Sequence, residues 1–303
     1  MMSADNLEPD CCASCGIAEV DDIKLKKCDG CDLVRYCSDA CREDHRSQHE
    51  EECKERTAEL REEILFRQPE NSYLGDCPIC CLPLPITGKS TFHVCCGKLL
   101  CNGCSYASQM HQLRENMQRT CPFCRHPMPK TDEEVEKNLM KRIEAKDPHA
   151  LCKLGLRVLK NGDHEGAFKY WTKAAELGDA IAHFQLSVMF EKGEGVDKDE
   201  TKEIYHLEEA AIAGHPDARF HLGAHDGNNG RFERAVKHFN IAASLGDDKS
   251  LQSLKKCYKE GLVSKEDFAA ALRAHHAAIK ATKSPNREMA AAWARRQEVE
   301  KAK

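Results

Sequence analysis

Seventeen of the chain's nineteen cysteines lie before residue 125, and the 179 residues that follow hold only Cys152 and Cys257. Disulfides would be the reading for an exported chain. The opening stretch "MMSADNLEPD", however, has neither the basic start nor the apolar core of a signal peptide, and no apolar run is long enough to span a membrane. A soluble chain in the cytoplasm or nucleus is therefore expected, where thiols stay reduced and clustered thiols bind metal. The sequence divides into a metal-dependent half and a metal-free half. A formal net charge of −5 argues against a dedicated nucleic-acid binder, so the expected partners are proteins.

The first cluster contains two C-x2-C pairs, Cys12 with Cys15 and Cys28 with Cys31. A C-x3-C pair (Cys37, Cys41) and an H-x3-C pair (His49, Cys53) follow. Zinc takes four ligands in a tetrahedron, so eight donors imply two ions. The segment "CDGCDLVRYCSDACREDHRSQHEEEC" has too few large apolar residues for a core of its own, and metal binding must supply its folding free energy. His45 is the alternative to His49, and Cys11 is left as a spare thiol. Spacing and the "YCSDAC" stretch resemble a MYND finger over residues 12–53. The resemblance implies alternating pairs, with Cys12, Cys15, Cys37 and Cys41 on one zinc and Cys28, Cys31, His49 and Cys53 on the other. Arg42 stands where that family usually has glutamine, and Arg46 where it has tryptophan. Both family residues help form a groove for proline-containing peptides, so the resemblance carries zinc binding but not that specificity.

The second cluster runs from "CPIC" (Cys77, Cys80) through Cys95, Cys96, Cys101 and Cys104 to "CPFCR" (Cys121, Cys124). Over residues 77–129 it resembles a RING finger, in which the middle of the motif commonly reads C-G-H-x-x-C. Here Lys98 occupies the histidine place. An ammonium must lose its proton before it can bind a metal, so the thiol of Cys95 is the better donor, with His93 as the alternative. The implied sites are Cys77, Cys80, Cys101 and Cys104 on one ion and Cys95, Cys96, Cys121 and Cys124 on the other, which makes about four zincs per chain. Cys81 has no site. The resemblance further implies contacts to a ubiquitin-conjugating enzyme and its ubiquitin through Ile79, Pro122 and Arg125, with Met110 or Leu113 as the helix contact.

Residues 1–11 are expected to be disordered. Residues 54–76 read as a helical connector with Leu60, Ile64 and Leu65 as its apolar positions and Pro69 as its stop. "TDEE" at 131–134 is a capping box opening a linker helix within 130–146. The stretches "AAELGDAIAHFQL", "AAIAGHPDARFHL" and "AASLGDDKSLQSL" then repeat with spacings of 36 and 32 residues, and Leu154 extends the series. Such periods read as a helical solenoid, with Gly178, Gly214 and Gly246 ending helices in the left-handed conformation. Over 147–283 the pattern resembles Sel1-like repeats. Residues 284–303 read as a terminal helix, with Trp293 capping the array. The expected fold is small zinc-stabilised domains followed by an all-α helical-hairpin solenoid.

No phosphate-binding loop or catalytic constellation accompanies the repeats. The expected function is a zinc-binding adaptor with RING-type ubiquitin-ligase activity, recruiting a conjugating enzyme through residues 77–129 and protein targets through the repeats. The alternative is a non-enzymatic scaffold of the transcriptional-corepressor kind.

Overall fold

Four of the C-x2-C pairs build the same turn. In a computed structural model, which describes residues 11–20 and 22–301, the residue after the second cysteine takes the left-handed conformation in each: Gly16 (φ +73°), Asp32 (+58°), Cys81 (+52°) and Arg125 (+60°). Its N–H donates to the carbonyl of the first cysteine, at 2.8 Å for Gly16 to Cys12, 3.3 Å for Asp32 to Cys28, 2.8 Å for Cys81 to Cys77 and 2.9 Å for Arg125 to Cys121. Closing the chain this tightly aims both thiols of a pair at one point. The pair Cys101/Cys104 is built differently: Cys101 caps a helix, and its sulfur accepts from the N–H of Cys104 at 3.4 Å. The disorder expected for the N-terminus falls outside the described residues except at Cys11, which bridges Ala18.

The chain divides into two units, Met1–Arg67 and Gln68–Lys303. In the first, the short strands β1 (Lys26–Lys27) and β2 (Arg35–Tyr36) pair antiparallel, with Lys26 opposite Tyr36, and are followed by helix α1 (Asp39–Leu65). Ser38 caps α1 by accepting from the N–H of Cys41. This helix contains His49 and Cys53 and continues without a break to Leu65, so the connector expected after residue 53 is the second half of a ligand-bearing helix. Cys12, Val34 and Tyr36 form the small core.

The second unit begins with the other cysteine module. Strands β3 (Ser90–His93) and β4 (Lys98–Cys101) form an antiparallel hairpin in the register Ser90 to Cys101 and His93 to Lys98, and helix α2 (Asn102–Arg114) follows. Leu84, Leu100 and the thiols of Cys77, Cys101 and Cys104 are its core. Pro127 bridges Thr120 beside the last cysteine pair. Thr131 caps helix α3 (Asp132–Glu144) by accepting from the N–H of Glu134, whose carboxylate reaches back to the N–H of Lys130.

Four helix hairpins follow. They are α4 (Pro148–Lys160) with α5 (His164–Glu176), α6 (Ala180–Lys192) with α7 (Glu200–Ile212), α8 (Pro216–Asn228) with α9 (Phe232–Ser244), and α10 (Asp248–Lys259) with α11 (Lys265–Ala281). Small residues on the first helix receive large ones from the second. A Cβ at Gly155 would lie 2.5 Å from Trp171, and one at Gly223 would lie 2.6 Å from Phe239, 68 positions on in both helices. Ser187 and Leu207, both buried, occupy the same places in the hairpin between them. Gly178, Gly214 and Gly246 have φ of +80°, +85° and +95°, as the repeat pattern requires. Among the described residues no helix is long and apolar enough to cross a membrane.

The division expected near residue 130 is not where the chain separates, because the second cysteine module and the solenoid form one unit. Tyr73 donates its N–H to Gly214 at 3.3 Å and stacks on His215, ring centroids 4.5 Å apart. Arg142 of α3 donates to the carbonyls of Cys95 and Cys96. The terminal helix α12 (Pro285–Lys301) packs on α2, with Trp293 5.9 Å from Tyr106, so Trp293 turns to the cysteine module instead of capping the array.

Candidate metal centres

The sixteen donors singled out by spacing come together as four groups: Cys12, Cys15, Cys37 and Cys41; Cys28, Cys31, His49 and Cys53; Cys77, Cys80, Cys101 and Cys104; and Cys95, Cys96, Cys121 and Cys124. Within each group all ligand atoms lie within 4.8 Å of one another. Zinc–sulfur bonds of roughly 2.3 Å give a tetrahedron with an edge of about 3.8 Å. Sulfur pairs here are separated by 3.6 Å (Cys15–Cys37, Cys37–Cys41 and Cys28–Cys53), 3.9 Å (Cys80–Cys101 and Cys96–Cys121) and 3.4 Å (Cys95–Cys124). His49 Nε2 stands 3.1 Å from Cys31 Sγ. The donor sets and spacings fit zinc, at about four sites per chain.

The thiols of each group disfavour one another's ionisation, which a bound dication would relieve. Burial acts to raise Cys77, but N–H donors from Cys101, Cys80 and Ile79 outweigh it and bring the thiol down to about 7. Burial and the neighbouring Cys121 push Cys96 up to about 11, and burial with Cys124 and Cys121 raises Cys95 further. Four thiolates this close cannot coexist without a dication to neutralise them.

His93 is not in the fourth group. It is buried on β3, with Nε2 3.5 Å from Ser105 Oγ, and burial lowers its basicity. Lys98 is exposed at the start of β4, and Cys81 holds the left-handed place of its turn. His45 hydrogen-bonds Tyr36 at 3.1 Å and stacks on His49. Arg42 is engaged by Asp29 at 2.9 Å and Asp39 at 3.7 Å, in a cleft that Lys26 and Lys27 also line.

Two regions of the chain match known protein families. Residues 12–53 match the MYND finger model. The first cluster is a MYND finger. Residues 148–179, 180–215 and 216–247 match the Sel1 repeat, so the chain carries three Sel1 repeats and a fourth hairpin after them. Sel1 repeats are protein-interaction modules, and this chain joins three of them to the candidate zinc centres.

DAP3-binding cell death enhancer 1 of Mus musculus is 27% identical over 175 residues, covering 45% of this chain and 34% of its own length. The Rattus norvegicus protein of the same name is 25% identical over the same shares. The chain thus spans about a third of the length of the curated relatives it matches. Among solved structures, a Sel1 repeat protein from Oxalobacter formigenes is 26% identical with a TM-score of 0.44, covering 58% of this chain and 52% of its own. The protective antigen c5321 of uropathogenic Escherichia coli, which displays an SLR fold, is 29% identical with a TM-score of 0.41, covering 48% and 33%.

Three residues outside the cysteine motifs join the cysteine module to the helices. Arg142 supports the Cys95–Cys96 turn, and Arg287 of α12 reaches Cys80 Sγ at 3.4 Å. The third is His215, the only departure from aspartate among the caps of the first helices, which are otherwise Asp147, Asp179 and Asp247. It accepts from the N–H of Ala218 and is sandwiched between Tyr73 and Phe184, at 4.5 and 4.6 Å. That break in the repeat was visible in "AGHPDA" and marks where the cysteine module docks.

Proposed function

We propose that residues 77–129 form a RING-type module and that the chain is a ubiquitin ligase adaptor. In this reading the four donor groups above are the four zinc sites, in the alternating pairing of both finger types. Such a module performs no covalent step. It holds the conjugating enzyme so that its ubiquitin thioester meets the acceptor amine in a productive orientation, and the rate gain comes from positioning. The carrying observation is exposure: Ile79 is 41% and Phe123 43% exposed on the turns of the two cysteine pairs, and Arg125 projects from the second. Such apolar groups on rigid zinc turns suit an enzyme-binding groove, and a guanidinium beside them suits a ubiquitin clamp. The repeats would hold the target. A relative named for binding DAP3 supports a protein ligand for them.

A specific observation favours a second reading. Helix α2 would supply the third contact, and α12 packs on it, while Leu113 is 72% exposed and Met110 only partly so. If the contact is Met110 and α12 denies it to the enzyme, the chain is a scaffold without ligase activity.

Discharge of ubiquitin from a panel of charged conjugating enzymes separates the readings. Ile79→Ala should weaken enzyme binding by about 1–3 kcal/mol without zinc loss. Arg125→Ala should leave binding intact and slow discharge, and Arg125→Lys should not rescue it, because lysine lacks the planar donor set. Wild-type protein that discharges no enzyme in the panel sinks the ligase reading in favour of the scaffold.

A further inference from the structure

The guanidinium of Arg287 is held in an unusual place for a residue on the last helix. Nη1 donates to the carbonyls of Pro83 at 2.7 Å and Thr282 at 2.8 Å, and Nη2 donates to the carbonyl of Leu82 at 3.2 Å and to Cys80 Sγ at 3.4 Å. One side chain thus ties the end of the solenoid, the start of α12 and the turn carrying Cys80. The helix reaches this position because Gly103, between Cys101 and Cys104, has no side chain. A Cβ there would lie 2.7 Å from the backbone nitrogen of Arg287 and 2.9 Å from its Cα.

The chemistry of the sulfur makes this contact conditional. A neutral thiol is a weak acceptor, whereas a metal-bound thiolate facing a guanidinium makes a charge-assisted hydrogen bond. Partners of this outer kind fix ligand orientation and commonly change metal affinity by about 10–100-fold. We infer that Arg287 is a positioning residue for the site of Cys77, Cys80, Cys101 and Cys104, so that metal occupancy there and docking of α12 form one linked equilibrium. The inference rests on the grouping of those four thiols proposed above. Linkage is reciprocal: losing the metal frees the helix, and freeing the helix weakens the metal. Because α12 lies on α2, release of the helix also uncovers that face of the cysteine module.

The test uses the zinc-loaded chain and two readouts: maleimide labelling of Cys80, located by mass spectrometry, and hydrogen exchange of residues 285–301. Arg287→Ala removes the donors. Gly103→Ala keeps them and expels the helix that carries them, at a helical position where alanine is well tolerated. Both should speed Cys80 labelling about ten-fold and raise exchange in α12, with Cys28 and Cys31 of the MYND finger unchanged as the internal reference. In wild-type protein, chelator added to strip the site of Cys80 should raise exchange in 285–301 in step with that loss. Faster exchange in both variants with Cys80 labelling unchanged would overturn the inference, leaving Arg287 as a pin for the helix alone. Stripping that site with no change in α12 would overturn it equally, and this arm needs no substitution to fold. If Cys80 of the wild type labels at once, regardless of zinc, the ligand grouping fails instead.

Discussion

A left-handed φ beside a cysteine pair is a cost accepted by residues that are not glycine. Cys81 and Arg125 occupy the place that Gly16 holds in the MYND finger, and an L-residue there costs about 1–2 kcal/mol. Cys81→Gly should therefore raise stability by up to about 1 kcal/mol in chemical unfolding without changing zinc content. Loss of an ion would instead make Cys81 a ligand. Cys95→Ser should remove one of about four zincs, and neither His93→Ala nor Lys98→Ala should, as metal analysis of purified protein can check. The choice between Cys95 and His93 stayed open in the sequence because both stand near the hairpin turn and spacing says nothing about facing. The turn at 94–97 brings Cys95 within 3.4 Å of Cys124, while His93 stays on β3 beside Ser105. His215 supports a pH prediction. Burial, with a smaller opposing effect from Asp217, brings its imidazole down from 6.5 to about 4, so the folded chain keeps it neutral while the unfolded chain protonates it. The resulting stability is complete above the unfolded value and is lost as pH falls from 6.5 towards 4. Relative to His215→Gln, the wild type should lose on the order of 2 kcal/mol between pH 7 and 5, measured as paired urea unfolding curves. Parallel curves would show that the ring is not held neutral.

At the scale of elements, the repeats were legible because their pattern is local. Alanine pairs, a glycine with positive φ and a leucine at fixed spacing are properties of each hairpin by itself, and the matched repeats keep the 32, 36 and 32 residue lengths read from the sequence. In the sequence, the cysteine spacing of residues 39–53 and the apolar pattern of residues 54–65 describe two objects, whereas the structure has one helix, α1. The helix satisfies both, carrying Cys41, His49 and Cys53 in its first half and only Leu65 as a buried apolar residue. Most of its face is charged, so without metal little apolar burial holds it. Chelation should therefore raise hydrogen exchange across residues 39–53 to nearly that of an unfolded peptide, while α5 and α6, built around buried Trp171 and Leu186, stay protected. Persistent protection in 39–53 after the metal has gone would mean that α1 has a stabilising surface other than its zinc ligands.

Within the second unit, the cysteine module and the solenoid are bound by contacts whose partners lie far apart in sequence: Tyr73 with Gly214, Arg142 with Cys95 and Cys96, and Arg287 with Cys80. None leaves a periodic trace, and for this reason composition suggested two independent halves. The two descriptions differ in a measurable consequence. If the halves were independent, chelation would abolish the fingers and leave the thermal transition of the repeats where it was. In the observed arrangement the module braces the middle of the array through His215 and its end through α12, so losing the metal removes contacts that the repeats use. Solenoid stability is a sum of repeat and interface contributions, and the third and fourth hairpins stand to lose most. Each kcal/mol withdrawn from a unit of this size lowers the midpoint by roughly 2–4 °C. We therefore expect chelation to preserve most of the helical circular dichroism at 25 °C yet lower the midpoint of the helical transition by at least about 5 °C, the equivalent of roughly 2 kcal/mol. Gly214→Ala should shift the midpoint in the same direction with zinc still bound, because its added Cβ would lie 2.9 Å from the carbonyl oxygen of Asn71 and its backbone is left-handed. Once Gly214→Ala has loosened that junction, chelation should cost the helices less than it costs the wild type. Additive shifts would show that the junction at Gly214 does not transmit the loss of metal to the repeats.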